Sequence, residues 1–188
     1  KGSGSKGGGG GSSKEFSEDI DWIETKISRL EREITNLGKI ADATWKTWTD
    51  RNKALAGEIS KTTDEIKVQQ QVYDRYMKAA NDVGLDESYA KKVREGAIEI
   101  ETITDEDLNN KISQYKDFYE KALDCKDAIA DLQNQLADFV QTKFDNITKE
   151  FEQLNAQIEH SMDLVNKKQD LREAWGLQTD PKRYADNN

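Results

Sequence analysis

DIDWIETKISRLEREITNLGKIA, residues 19–41, is the stretch on which the fold class turns. Its apolar residues Ile20, Ile23, Ile27, Leu30, Ile34, Leu37 and Ala41 follow one another at alternating intervals of three and four. That is the heptad rhythm of a helix that buries a narrow seam against a partner helix. The next step is again four, to Trp45, which makes a stutter and locally relaxes a left-handed supercoil. From there the rhythm predicts a continuing seam through Trp48, Asn52, Leu55, Ile59, Thr62, Ile66, Gln69, Tyr73, Tyr76 and Ala80.

A second arm repeats the pattern from Phe118 through Ala122, Cys125, Ile129, Leu132, Leu136 and Phe139. After a shift of one residue it resumes at Val140, Phe144, Ile147, Phe151, Leu154, Ile158 and Val165. Neither arm can hide its stripe alone, so the expectation is an all-α fold. In it, a long antiparallel two-helix coiled-coil hairpin carries a small, irregular acidic tip. The organisation expected is a Gly/Ser-rich linker over 1–16, an arm over 17–82, the tip over 83–104, an arm over 105–175 and a polar tail over 177–188. At about 1.5 Å per residue each arm would reach roughly 100 Å. The start at Lys1 and the run KGSGSKGGGGGSS suggest a piece of a longer polypeptide joined through a flexible linker.

Local signals refine these limits. Ser17 reads as the first N-cap, with Glu18, Asp19 and Asp21 placed against the positive end of the helix dipole. Gly38 and Gly57 interrupt the first arm, as tolerated glycines or as points of close packing or bending. Asn81, Asp82 and Gly84 mark a helix end, Ser88–Arg94 a short helix, and Gly96 its stop. Residues 97–101 alternate like an extended strand, and Thr104 with Asp107 resembles a capping box that starts the second arm. Trp175 and Gly176, followed by Pro181, close it.

With 188 residues, 35% charged and 35% hydrophobic, and a single proline, the composition is that of long helices rather than of a compact domain. The net charge of −9 concentrates near the tip, where acids outnumber Lys91, Lys92 and Arg94. Clustered lysines and arginines are absent, which excludes sequence-specific nucleic-acid binding from the expected partners. No apolar run approaches the ~20 residues of a membrane span, and a single cysteine allows no internal disulfide.

Catalytic signatures are missing: there is no Gly-rich phosphate loop, no His-Glu-x-x-His, no Gly-x-Ser-x-Gly and no Cys-x-x-Cys. No cofactor and no metal are therefore expected. His160 reads as a lone surface histidine despite Glu159 and Asp163 nearby, and Cys125 as a small filler of the seam. Asn146-Ile147-Thr148 matches a glycosylation acceptor inside a helical stretch and reads as accidental. The candidate partner contacts are Trp45 and Trp48, three apart, and Ile98, Glu99, Ile100 and Glu101 of the tip. Their competing reading is seam packing for the tryptophans and plain solvation for the acids. The isoleucines of the tip, Ile103 among them, argue for docking, because solubility alone would not require them.

Several phrases carry a family resemblance: DWIETKISRLEREI, TWKTWTDRNKALAGEISK, QQQVYDRYMKAANDVGL, GAIEIETITDEDL, YEKALDCKDAI and FDNITKEFEQLNAQIEH. Together they resemble a segment of tail tape-measure proteins from phages of Gram-positive, clostridia-like bacteria, over about residues 19 to 165. The resemblance implies a long, largely helical virion protein, assembled in the host cytoplasm, that sets tail length and leaves before or with DNA on ejection. Its implied partners are other copies of itself, tail tube or tip proteins and chaperones. A hairpin adds only about half its residues to any length, so it conflicts with simple service as a ruler. The other expectation, from a different class, is a secreted or surface coiled-coil module that binds a protein through its acidic tip.

Overall fold

The computed structural model describes residues 10–98 and 103–175. These residues form four helices and no strand: α1 (Gly10–Ala41), α2 (Trp48–Asp82), α3 (Glu87–Arg94) and α4 (Glu106–Ala174). The all-α class follows directly from the two heptad arms. The chain divides into two compact units, Lys1–Lys143 and Phe144–Asn188.

In the first unit the seam of α1 is buried as its spacing predicts, with Ile20, Ile23, Ile27, Leu30, Ile34 and Ala41 all in the core. Its partner is nearer in sequence than expected. The arm predicted as one helix over 17–82 is broken at Asp42–Thr47, and α2 runs back along α1. Lys61 Nζ lies 2.6 Å from Glu33 Oε2 and Arg75 lies 2.9 Å from Asp19. Near the reversal, Arg51 Nε donates to the Ala41 carbonyl at 2.6 Å. Pairs that close in on the turn from both sides mean antiparallel packing.

Local chemistry explains the break without glycine or proline. α1 finishes in a tightening turn, Ala43 N–H donating to the Ile40 carbonyl. Thr47, with φ −64° and ψ 155°, then caps α2 by accepting the Asp50 N–H at 3.1 Å. Thr44, Trp45, Thr47 and Trp48 are all weak helix formers, so continuing the helix through them would gain little. Folding back buries both stripes within the chain.

The segment of α4 up to Lys143 supplies a third helix. Phe118, Ala122 and Cys125 join Ile20, Ile23, Ile27, Leu30, Val68, Val72 and Tyr76 in one cluster. Phe16 sets its ring edge-on against Tyr76 and Phe118 at 5.8 Å and 5.7 Å, so all three helices meet at that layer. Full burial of one such side chain contributes on the order of 1.5–3 kcal/mol. A second cluster, built on Ala80, Ala90, Val93, Ile112 and Tyr115, fastens α3 into the corner between α2 and α4. There Arg94 donates to the Tyr115 hydroxyl at 2.8 Å and pairs with Glu87.

Three boundaries differ from expectation. α1 begins at Gly10 rather than at Ser17, within the stretch read as linker; the aromatic layer at Phe16 draws the helix past Ser17. Helix propensity gives no account of its glycine-containing first turn. α4 is capped by Asp105, whose carboxylate accepts the Leu108 N–H at 3.2 Å, not by Thr104. The extended stretch expected over 97–101 falls mostly outside the described residues, and Ala97 and Ile98 have no regular structure. Gly84 and Gly96 do end helices, at φ 69° and 67°, left-handed conformations that glycine adopts without penalty. At Gly96 the pair of bonds Ala97 N–H to Lys92 and Gly96 N–H to Val93 makes a Schellman closure.

In the second unit α4 is helical to Ala174, near the stop read from Trp175 and Gly176, and most of its side chains lie in solvent.

Candidate interaction face

Heptad spacing on α4 continues past the last buried core residue. Phe144, Ile147, Phe151, Leu154, Ile158, Met162 and Val165 are each between 45% and 67% exposed. Singly exposed apolar residues are ordinary, but a run of them on one helical stripe makes a candidate interaction surface. Along it lies a depression of about 450 Å³. Its lining includes Leu154, Gln157, Ile158 and Ser161 and, overlapping them, Ile158, Ser161, Met162 and Val165. Both sets are spaced i, i+3, i+4 and i+7, the four corners of the hole that receives a knob in a coiled coil.

The residues singled out from sequence are scattered. Trp45 sits in the α1–α2 turn, 80% exposed, with Lys46 Nζ 4.6 Å from its ring centre. Trp48 opens α2 half-buried, its ring covered by the Arg51 guanidinium at 4.6 Å. Ile98 is half-buried and, like Ile103, packs against the α3 cluster. Glu99, Ile100 and Glu101 lie outside the described residues. Trp22 and Trp175 are exposed on α1 and just beyond α4.

Sequence reading placed Thr62 on the seam of α2 but missed the two glutamates that share its layer in the first unit. Glu58, Thr62 and Glu65 are buried on α2, one turn apart along the face toward α1. Burial, then the neighbouring Asp42, pushes Glu58 up to about 7. Burial, then Glu31, does the same for Glu65. Gly38 makes room for the first, since a Cβ there would lie 2.8 Å from Glu58 Oε1. The signal was available: 55, 58, 62, 65, 69, 72 and 76 is as regular a heptad as the register chosen, but its two glutamates disguise it.

Where α1, α2 and α4 meet, a groove of about 460 Å³ is lined by Glu24, Gln69, Lys121, Asp124 and Cys125, among others. Burial, chiefly, pushes the Cys125 thiol up, which keeps it protonated and weakly nucleophilic. Among the described residues no three His, Cys, Asp or Glu side chains gather as metal ligands, and no helix is long and apolar enough to cross a membrane. No protein-family model, curated protein or solved structure matches the chain.

Proposed function

We propose that this chain is a non-enzymatic structural segment of a phage tail tape-measure protein, working in tail assembly and length determination through helix-to-helix association. The observation that carries the association is the uncovered heptad stripe Phe144–Val165. Its setting in the virion tail rests on the phrases quoted above, as do its assembly in the host cytoplasm, its partners among tube, tip and chaperone proteins, and a part in DNA ejection. The coiled-coil hairpin belongs to the same reading, with α2 and α4 as the arms nearest the tip and α1 laid back against them. Doubling back shortens the contribution of these residues to any ruler, so the segment serves by docking more than by spanning.

Two measurements test the reading. Mass spectrometry of purified tails from the encoding phage is expected to find peptides of this chain, and their absence overturns it. Deleting codons 144–165 in frame is expected to abolish tails or change their length, whereas tails of normal number and length contradict it. The acidic-tip module has less support, because Ile98 and Ile103 are drawn into the α3 cluster.

A further inference from the structure

We infer that the buried layer of Glu58, Thr62 and Glu65 is a proton-operated latch. Closed, it holds the turn end of the α1–α2 pair folded; on losing its protons it lets residues 31–62 open as one local unit while the far end of the pair stays packed. The latch lies wholly within the first unit and is independent of the tail reading.

Packing divides the unit at this layer. The larger cluster lies on the far side, from Ile20 to Leu30 of α1 and from Val68 to Tyr76 of α2. Toward the turn the core shrinks to Ala41, Ala54 and Leu55, with Leu37 and Phe139 against them. Ile34, buried between the two, belongs to neither. The cover from α4 thins over the same span: Ala122 and Cys125 are buried, whereas Ile129, Leu132, Leu136 and Phe139 are only half-buried. A helix pair interrupted in this way opens in parts rather than all at once. The freed ends, 31–41 and 48–62, are about the length at which an unsupported helix is marginal in water, so parting them also melts them.

Charge decides when the layer lets go. Glu58 and Glu65 are 4% and 3% exposed, and among the described residues no cation pairs with either. On α2 itself Lys61 is taken by Glu33 at 2.6 Å and Arg51 by the Ala41 carbonyl, and Asp64 lies beside Lys67. From the α1 side Glu31 and Asp42 act on the layer as like charges, while Arg32 and Lys39 stand in solvent. From α4, residues 127–142 bring Asp127, Asp131 and Asp138 and no lysine or arginine. The Thr62 hydroxyl, buried between the two glutamates, has no hydrogen-bond partner. An ionised carboxylate here has nothing to neutralise it, so it either keeps its proton or leaves the core. Burial, first of all, pushes both groups from the ordinary 4.5 up to about 7. Between those values each pH unit favours opening by about tenfold per carboxyl.

Amide hydrogen exchange on the full chain at pH 5 and pH 8, corrected for the intrinsic rate, tests the latch. Amides of 31–41 and 51–62 are expected to lose protection by about a hundredfold or more. At pH 8 they should exchange about tenfold or more faster than those of 20–30 and 68–80. Glu58→Gln with Glu65→Gln, which mimics the protonated pair, is expected to keep the turn end protected at pH 8. The single Glu65→Gln chain, with about half the effect on a logarithmic scale, carries the same test where the double substitution does not fold. Equal protection of both ends at pH 8, a turn end indifferent to pH, or full pH dependence in the glutamine chains overturns the latch.

Discussion

Glu58 and Glu65 are two carboxylates whose chemistry the fold alters strongly. Their ordinary value is 4.5, and both are pushed up to about 7. Between those values the folded chain holds protons that the unfolded chain has released, so stability falls as pH rises. The contribution is complete below about pH 4.5 and lost as pH passes 7. Each glutamate accounts for at most roughly 3 kcal/mol. Thermal melts are therefore expected to give a lower midpoint at pH 8 than at pH 5, and Glu65→Gln to raise the pH 8 midpoint and flatten the slope; a flat profile in the parent chain would contradict the assignment. Thr62, in the same layer, is fully buried and its hydroxyl has no hydrogen-bond partner. The isosteric Thr62→Val is expected to stabilise the chain by about 1 kcal/mol in urea unfolding. Thr62 lay on the predicted seam, but Glu58 and Glu65 were illegible in sequence because burial of a glutamate is a tertiary event: a heptad reader assigns such a position to solvent.

Among the helices, α1 was legible almost residue by residue, since isoleucine and leucine at strict spacing leave no competing register. α2 was half legible. Leu55, Thr62, Tyr76 and Ala80 were placed correctly, but Ile59, Ile66 and Tyr73 prove half-buried while Val68 and Val72 fill the core. The reason is geometric: α2 touches both α1 and α4, and two neighbours demand a stripe wider than a seam. The reversal at Asp42–Thr47 showed in sequence only as a stutter, and its cap is testable. Thr47→Ala is expected to cost about 1 kcal/mol, whereas Trp45→Ala, at an exposed ring, should cost nearly nothing; equal losses would contradict the capping role. Gly57 tests the crossing of α1 and α2, where a Cβ would come within 2.9 Å of Leu37 Cδ1. Gly57→Ala is expected to be net destabilising in urea unfolding despite alanine's helix preference of about 1 kcal/mol. A stabilised variant would mean that Leu37 yields freely.

Taken whole, the chain keeps its core in the first unit and its uncovered apolar stripe in the second. Ile23→Ala is expected to cost about 2–5 kcal/mol in urea unfolding, whereas Ile158→Ala should leave unfolding of the diluted chain nearly unchanged. Comparable losses would mean that α4 beyond Lys143 shares in the core. Composition and periodicity alone established an all-helical chain, the seam of α1, the helix ends at Gly84 and Gly96, and the amphipathic continuation of α4, because each depends on neighbours within a few residues. They could not establish which helix covers which stripe. A heptad states that a partner exists without stating its address, and the partner of α1 turned out to be the next helix, reached through a turn that no glycine or proline announces. The same ambiguity hides from a sequence reading that Ile98 packs against the α3 cluster and that the apolar side chains of Phe144–Val165 are exposed. Choosing among partners is a matter of summed burial over the whole chain, a quantity that no local window of sequence contains.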